Sequence, residues 1–107
     1  MNIVVEKEEA RTIVKVSGRM NSANSSELEK KFLEIIESGS TFLVVDMSEL
    51  EYISSAGLRV MLIAYKKIKA INGRIVLCAL QEIVEEVFDL SNFSSIFEIV
   101  PSIEDIT

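Results

Sequence analysis

The stretch Asp46–Lys69, DMSELEYISSAGLRVMLIAYKKIK, holds the residues best placed to do chemistry. An apolar run, Phe42-Leu43-Val44-Val45, stops at Asp46. A short polar link follows, and Ser54-Ser55-Ala56-Gly57-Leu58 opens a helical pattern. A hydroxyl at a helix start stands where backbone N–H groups point outward without intrahelical partners. The helix dipole adds partial positive charge there, so the position suits an anion. One reading is that a serine of this pair only caps the helix, worth about 1 kcal/mol. The other is that Ser55 accepts a phosphoryl group, which adds roughly −1.5 to −2 charges and three acceptor oxygens. The helix start can take that group without unfolding, whereas a partner surface fitted to a neutral hydroxyl cannot. Glu49 and Glu51, close in sequence, are expected to oppose the phosphate. Ala56 and Gly57 are small enough to let another protein's active site approach the hydroxyl.

Other chemistries are poorly supplied. Histidine is absent from the 107 residues, which removes a His-based catalytic triad and histidine metal ligation, so no metal site is expected. No glycine-rich phosphate loop is present, and no cofactor is expected. Asp46, at the end of an apolar strand, resembles the acceptor of an aspartyl-phosphate receiver. Such a site needs further acids after the first strand and a lysine near the end of the fourth. Here Ile3–Val5 leads into Glu6-Lys7 and a turn, so the chain is not expected to be an enzyme, and Asp46 is expected to bond backbone N–H groups of its own loop. The formal charge of −6 and the lack of a basic cluster beyond Lys66-Lys67 and Lys69 argue against nucleic-acid binding. Cys78, the single cysteine, lies in an apolar run and reads as a buried, inert thiol. No signal peptide is visible at MNIVVEKEE, and the longest apolar block, Val60–Tyr65, is far short of the roughly 20 residues that span a bilayer. The cytoplasm is the expected location, without membrane attachment.

The elements that must position Ser55 follow from periodicity. One domain, 1–107, is expected. Ile3–Lys7 and Thr12–Ser17 read as strands, Gly18 breaks the pattern, and Arg19–Ser25 is a loop. Ser26 with Glu29 forms an S-x-x-E capping box for a helix that buries Leu28, Phe32, Ile35 and Ile36. Thr41–Val45 is apolar enough for a central strand covered on both faces. The serine helix runs from about Ala56 to Ile71, burying Val60, Met61, Leu62, Ala64, Tyr65, Ile68 and Ile71. Its opposite side carries Arg59 and Ile63, one turn apart, a guanidinium beside an apolar side chain as docking surfaces often have. Arg74–Ala79 is a buried strand. Gln81–Leu90 is a helix with Ile83, Val84, Val87 and Phe88 inward. Ser91–Ser95 is a turn, Ile96–Val100 a last strand, and Pro101-Ser102 starts a terminal helix through Ile103–Ile106. The order β-β-α-β-α-β-α-β-α implies an α/β fold with a mixed, mostly parallel sheet of about five strands and four helices.

The segment Val44–Leu62, VVDMSELEYISSAGLRVML, resembles the signature of the STAS domain, and in particular of bacterial anti-sigma factor antagonists. That signature is an apolar strand, Asp, a short link, an apolar residue, a serine-bearing pair, Gly-Leu and an amphipathic helix. The likeness extends to Gly18 before an exposed loop, Asn72-Gly73 before the fourth strand, and Phe88-Asp89-Leu90-Ser91 closing the third helix. The resemblance implies a STAS fold in which Ser55 aligns with the phosphoacceptor serine. It also implies a partner switch in bacterial transcription. The unphosphorylated domain binds an ATP-dependent serine kinase that is also an anti-sigma factor, which frees the sigma factor. The kinase then phosphorylates Ser55 and the complex parts, until a phosphatase resets it. The implied docking surface comprises Asn21, Ser22, Ser54, Ser55, Ala56, Gly57, Arg59 and Ile63, on a monomer or weak dimer. The family commonly has Asp where Ser54 and Asn21 stand, so this chain carries less negative charge at that face, and Ser54 is an alternative acceptor. A third class, a STAS scaffold or subunit of a transport or stress-sensing assembly, would use the same fold with Ser55 silent.

Overall fold

Five strands form one sheet in the spatial order β1 (Asn2–Lys7), β2 (Thr12–Met20), β3 (Phe42–Ile53), β4 (Arg74–Cys78) and β5 (Glu98–Val100). The structure is a computed structural model, and it describes residues 1–107. β1 and β2 form an antiparallel hairpin, and every later pairing is parallel. A parallel neighbour requires a crossover, and helices supply it: α1 (Ser25–Glu37), α2 (Ser55–Ala70) and α3 (Glu82–Leu90). The mixed, mostly parallel sheet expected from the sequence is therefore present, with three α-helices instead of four. The terminal segment makes only one 3-10 turn, Ile103–Asp105, closed by reciprocal bonds between Ser102 and Asp105. The segment Phe93–Ser95 is likewise a 3-10 turn, and β5 begins at Glu98, two residues later than expected.

The largest departure is β3, which does not stop at Val45 but runs on to Ile53 through the supposed polar link. Met47, Leu50 and Ile53 are all buried, so the segment has a core face. Its alternation is hidden by two irregularities in the β2–β3 ladder. Lys15 pairs with Asp46 but Ser17 with Glu49, and Gly18 pairs with Leu50 but Arg19 with Tyr52. Each step places one extra residue on β3, a bulge that shifts later side chains to the other face. Asp46 helps hold the first bulge, its Oδ1 accepting the Ser48 N–H at 3.0 Å. That is the backbone bonding expected of it, made inside a strand and not in a loop. β2 extends in the same way past Gly18 (φ +86), which bends the strand without ending it.

All three helices pack on one face of the sheet. Leu28, Phe32 and Ile35 from α1, Val60, Met61, Ala64 and Ile68 from α2, and Val84 and Phe88 from α3 join Val14, Val16, Val45 and Leu77 in one core. Ile71 and Ile83, assigned inward from periodicity, are 45% and 57% exposed, Ile71 as the cap residue just past α2 and Ile83 in the first turn of α3. The Ser26–Glu29 box does not form. Asn24 is the N-cap, the helix starts at Ser25, and Ser26 lies exposed within the first turn. The opposite face of the sheet is thinly covered: Ile13, Val44 and Cys78 form a small cluster under Phe42, Val100, Ile103 and Ile106. Burial pushes the Cys78 thiol up to about 11.

Two outcomes follow from this packing. A Cβ on Gly73 would lie 2.6 Å from the Thr41 carbonyl oxygen and 2.7 Å from Ile68 Cγ1, so backbone must move to admit it. Gly73→Ala is expected to cost about 2 kcal/mol, read as a lower melting temperature. The folded chain also keeps the Cys78 proton to higher pH than the unfolded chain does. Stability is therefore expected to fall as pH rises from the ordinary thiol value of about 8.5 toward about 11. Denaturation midpoints across that range should show less decline in Cys78→Ala.

Candidate functional site

The serine pair sits where β3 hands over to α2, and the two hydroxyls are placed differently. Ser54 is the N-cap, with extended backbone (φ −89°, ψ 173°) and its Oγ accepting the Gly57 N–H at 3.2 Å. Its own N–H donates to the Met20 carbonyl at 2.9 Å, and its carbonyl accepts the Leu58 N–H, also at 2.9 Å. Ser54 is half-buried and structurally engaged. Ser55, the first helical residue, is exposed. A residue at that position points its side chain out beside the helix start, where free N–H groups and the dipole favour negative charge. α2 has no acidic residue in its first turn to occupy that role.

The join is held by close packing. Met20 pairs with Ile53 in the ladder, and Gly57 sits directly on both: a Cβ there would lie 2.7 Å from Met20 Sδ and 2.8 Å from Ile53 Cγ1. Gly57 is buried, so its small size serves this inward contact. Ala56, half-buried, is the small residue beside the exposed hydroxyl.

Because Met20 binds Ser54, the loop that follows Met20 lies beside the serine pair. Asn21 Oδ1 accepts from the N–H groups of Ala23 (2.9 Å) and Asn24 (3.1 Å), and Asn24 Oδ1 accepts from Asn21 N–H at 2.9 Å. The Asn24 amide donates to the Arg19 carbonyl at 2.9 Å. This reciprocal pair fixes the loop and caps α1 at Asn24, two residues ahead of the expected Ser26. Ser22 is exposed at its tip. Asn21 uses only its oxygen for backbone acceptance, a task an Asp performs equally well.

Arg59 is exposed one turn after Ser55, as expected, while Ile63 is half-buried, so the apolar part of the patch is smaller than periodicity suggests. The sequence does not single out Arg19 and Tyr52, yet the Arg19 guanidinium stacks 4.4 Å from the centre of the Tyr52 ring, at the residues preceding Met20 and Ile53. The bulges that re-aim these side chains leave no periodic signal. Glu49 is corrected in the other direction. It pairs with Lys15 at 3.1 Å, which holds the lysine pKa above its ordinary value. Three rungs of the ladder, Ser17 to Met20, also separate Glu49 from Ile53, about 10 Å, a little beyond a Debye length of about 8 Å, so it opposes a phosphate at Ser55 only weakly. The largest cavity, about 480 Å³, is lined by residues including Leu80, Glu85, Asp89, Phe97 and Pro101 and shares none with the serine end. No helix is long and apolar enough to cross a membrane.

A model of the STAS domain matches residues 2–106. The chain belongs to the STAS domain family. An anti-sigma factor antagonist assignment, BtrV of Bordetella bronchiseptica, is 39% identical over 97% of this chain and 90% of its own length. Among solved structures, a Thermotoga maritima protein given the same assignment superposes with a TM-score of 0.91 at 25% identity, covering 96% of this chain and 89% of its own. The Bacillus cell fate determinant SpoIIAA in its phosphorylated form shares the STAS fold at a TM-score of 0.76 and 17% identity, over 96% and 95% of the two chains. The names of these STAS relatives describe antagonists and regulators, not enzymes.

The two serines make opposite predictions. Ser54→Ala removes the cap and is expected to destabilise the domain by about 1 kcal/mol. Ser55→Ala, at an exposed position, should stay within about 0.5 kcal/mol of the parent. Denaturant titration of both variants checks this, and a larger loss for Ser55→Ala would assign the cap to the wrong serine.

Proposed function

We propose that this STAS domain is an anti-sigma factor antagonist whose hold on its partner is released by phosphorylation of Ser55. The observation that carries the reading is the division of the serine pair: Ser54 caps α2 while Ser55 is exposed beside it. The naming of its relatives supports the same reading, as does the existence of a phosphorylated form of SpoIIAA.

In the unphosphorylated state the loop at Asn21-Ser22, the exposed Ser55 with Ala56 beside it and the exposed Arg59 present a nearly neutral to cationic surface to an anti-sigma factor, while Ser54 and the buried Gly57 hold that surface from beneath. That partner is an ATP-dependent serine kinase, and its capture frees the sigma factor. The kinase brings ATP and the base, so the domain supplies only an accessible hydroxyl. Phosphate at Ser55 places roughly −1.5 to −2 charges at the helix start, where dipole and N–H groups tolerate it without unfolding. Arg59 is the i+4 neighbour of Ser55, and an anion ahead of a cation by one turn is the favoured order along a helix. The phosphate thus adds an anion and also engages a cation that the partner would otherwise meet. A phosphatase returns the domain to its binding form.

Intact-mass measurement after incubation with the kinase and ATP tests the acceptor. The parent and Ser54→Ala are each expected to gain one phosphoryl group, and Ser55→Ala none. Phosphorylation that survives Ser55→Ala and vanishes in Ser54→Ala would reverse the assignment. Ser55→Asp is expected to weaken partner binding about tenfold or more, roughly 1.4 kcal/mol, with little change in melting temperature. An unchanged affinity would remove the charge argument.

A further inference from the structure

β1 forms one edge of the sheet, pairing only with β2. Its outer side carries a row of unpaired N–H and C=O groups, a template for another strand. Natural edges are usually blunted by proline, charge or a bulge. Asn2–Val5 has none of these: the register with β2 runs unbroken, and the first charge is Glu6. Val4 and Val5 are 44% and 39% exposed.

We propose that this edge is a self-association surface, on which β1 of a second copy adds antiparallel to β1 of the first. The sequence itself selects a register. Ile3 and Val5 lie over Val16 and Val14 on the helix-bearing face, and Val4 lies beside Lys15 on the other. Opposed residues of a strand pair share a face. A two-fold axis must therefore centre on a residue, and centring it on Val4 sets Val4 against Val4 of the second copy. Ile3 then meets Val5 of that copy, and Asn2 meets its Glu6. Every apolar side chain of the strand finds an apolar partner and no like-charged side chains meet. Centring on Val5 would instead set Ile3 against Lys7 and Val4 against Glu6.

Helix α1 carries complementary charge along the same edge. Lys31 and Glu34 line both hollows beside β1, one shared with Met1 to Ile3 and the other with Val5 and Lys7. α1 therefore runs alongside β1 in the same direction, and the two-fold axis makes the two α1 helices antiparallel. Lys31 of each copy then faces toward Glu34 of the other. Within one copy this pair is loose, at 4.0 Å and about half exposed, so it is available for exchange. The serine pair lies at the ends of β2 and β3, not on this edge, so both copies keep it open.

Sedimentation over a concentration series tests the surface. The parent is expected to show a reversible monomer–dimer equilibrium. Val4→Lys and Val4→Glu should each be monomeric, because identical charges would face each other across the axis. An equimolar mixture of the two should recover the dimer. A parent monomeric at every concentration, a dimer that persists in both variants, or a mixture that stays monomeric would each overturn the proposal. Melting curves at low concentration verify that both variants fold. Independently of any variant, hydrogen exchange of the outward β1 amides in the parent should slow as concentration rises, and a constant rate counts against the pairing.

Discussion

The structure turns on one join, where the carbonyl of Met20 receives the N–H of Ser54 while Met20 and Ile53 close over Gly57. It ties the end of β2 to the start of α2 and sets the direction in which the helix leaves the sheet. With that direction fixed, Ser54 must turn inward to complete the first turn, and the next residue must project outward. The position of Ser55 is a consequence of strand pairing and of a contact too tight for any side chain on residue 57. Sites built on the ends of strands and helices are held more precisely than sites on loops.

The electrostatics are arranged by removal as much as by supply. Glu49 is compensated by Lys15, and Asp46 spends an oxygen on its own backbone. Asn21 and Ser54 perform with neutral oxygens the backbone-accepting tasks an aspartate would perform. The helix start is left with positive potential and with Arg59 one turn away. The exposed Glu51 is the acidic residue of β3 nearest that start.

The apolar runs and helical periods were enough to read the mixed sheet, the three main helices, the thiol in the core and the exposed serine at a helix start. The length of β3 was not legible, because two bulges shift Met47, Leu50 and Ile53 out of any simple alternation. For the same reason the stacking of Arg19 on Tyr52 left no trace in the pattern. The false capping box shows a different limit. Ser26 and Glu29 have the correct spacing, but Asn21 and Asn24 bond each other more locally and begin the helix first. Ile71 and Ile83 obey their helical period, yet one caps α2 and the other lies in the first turn of α3, and both are exposed. Residue types report local preference, while the extent of a tertiary surface is decided elsewhere in the chain.

The two sides of the sheet differ in thickness, and the thin wall has a latch. Arg74 grips Glu98 through two nitrogens and donates to the Thr107 carbonyl at 2.8 Å, keeping the terminal turn over Ile13, Val44 and Cys78. The guanidinium holds the Glu98 carboxyl below its ordinary range. Its contribution is complete above the unfolded carboxylate value of about 4.3, and it fades as acid carries the pH down through the lowered one. The pair is exposed and its share of stability is small, but it guards the side with least cover. Acid therefore loosens this domain first on the side of the sheet that has the least cover.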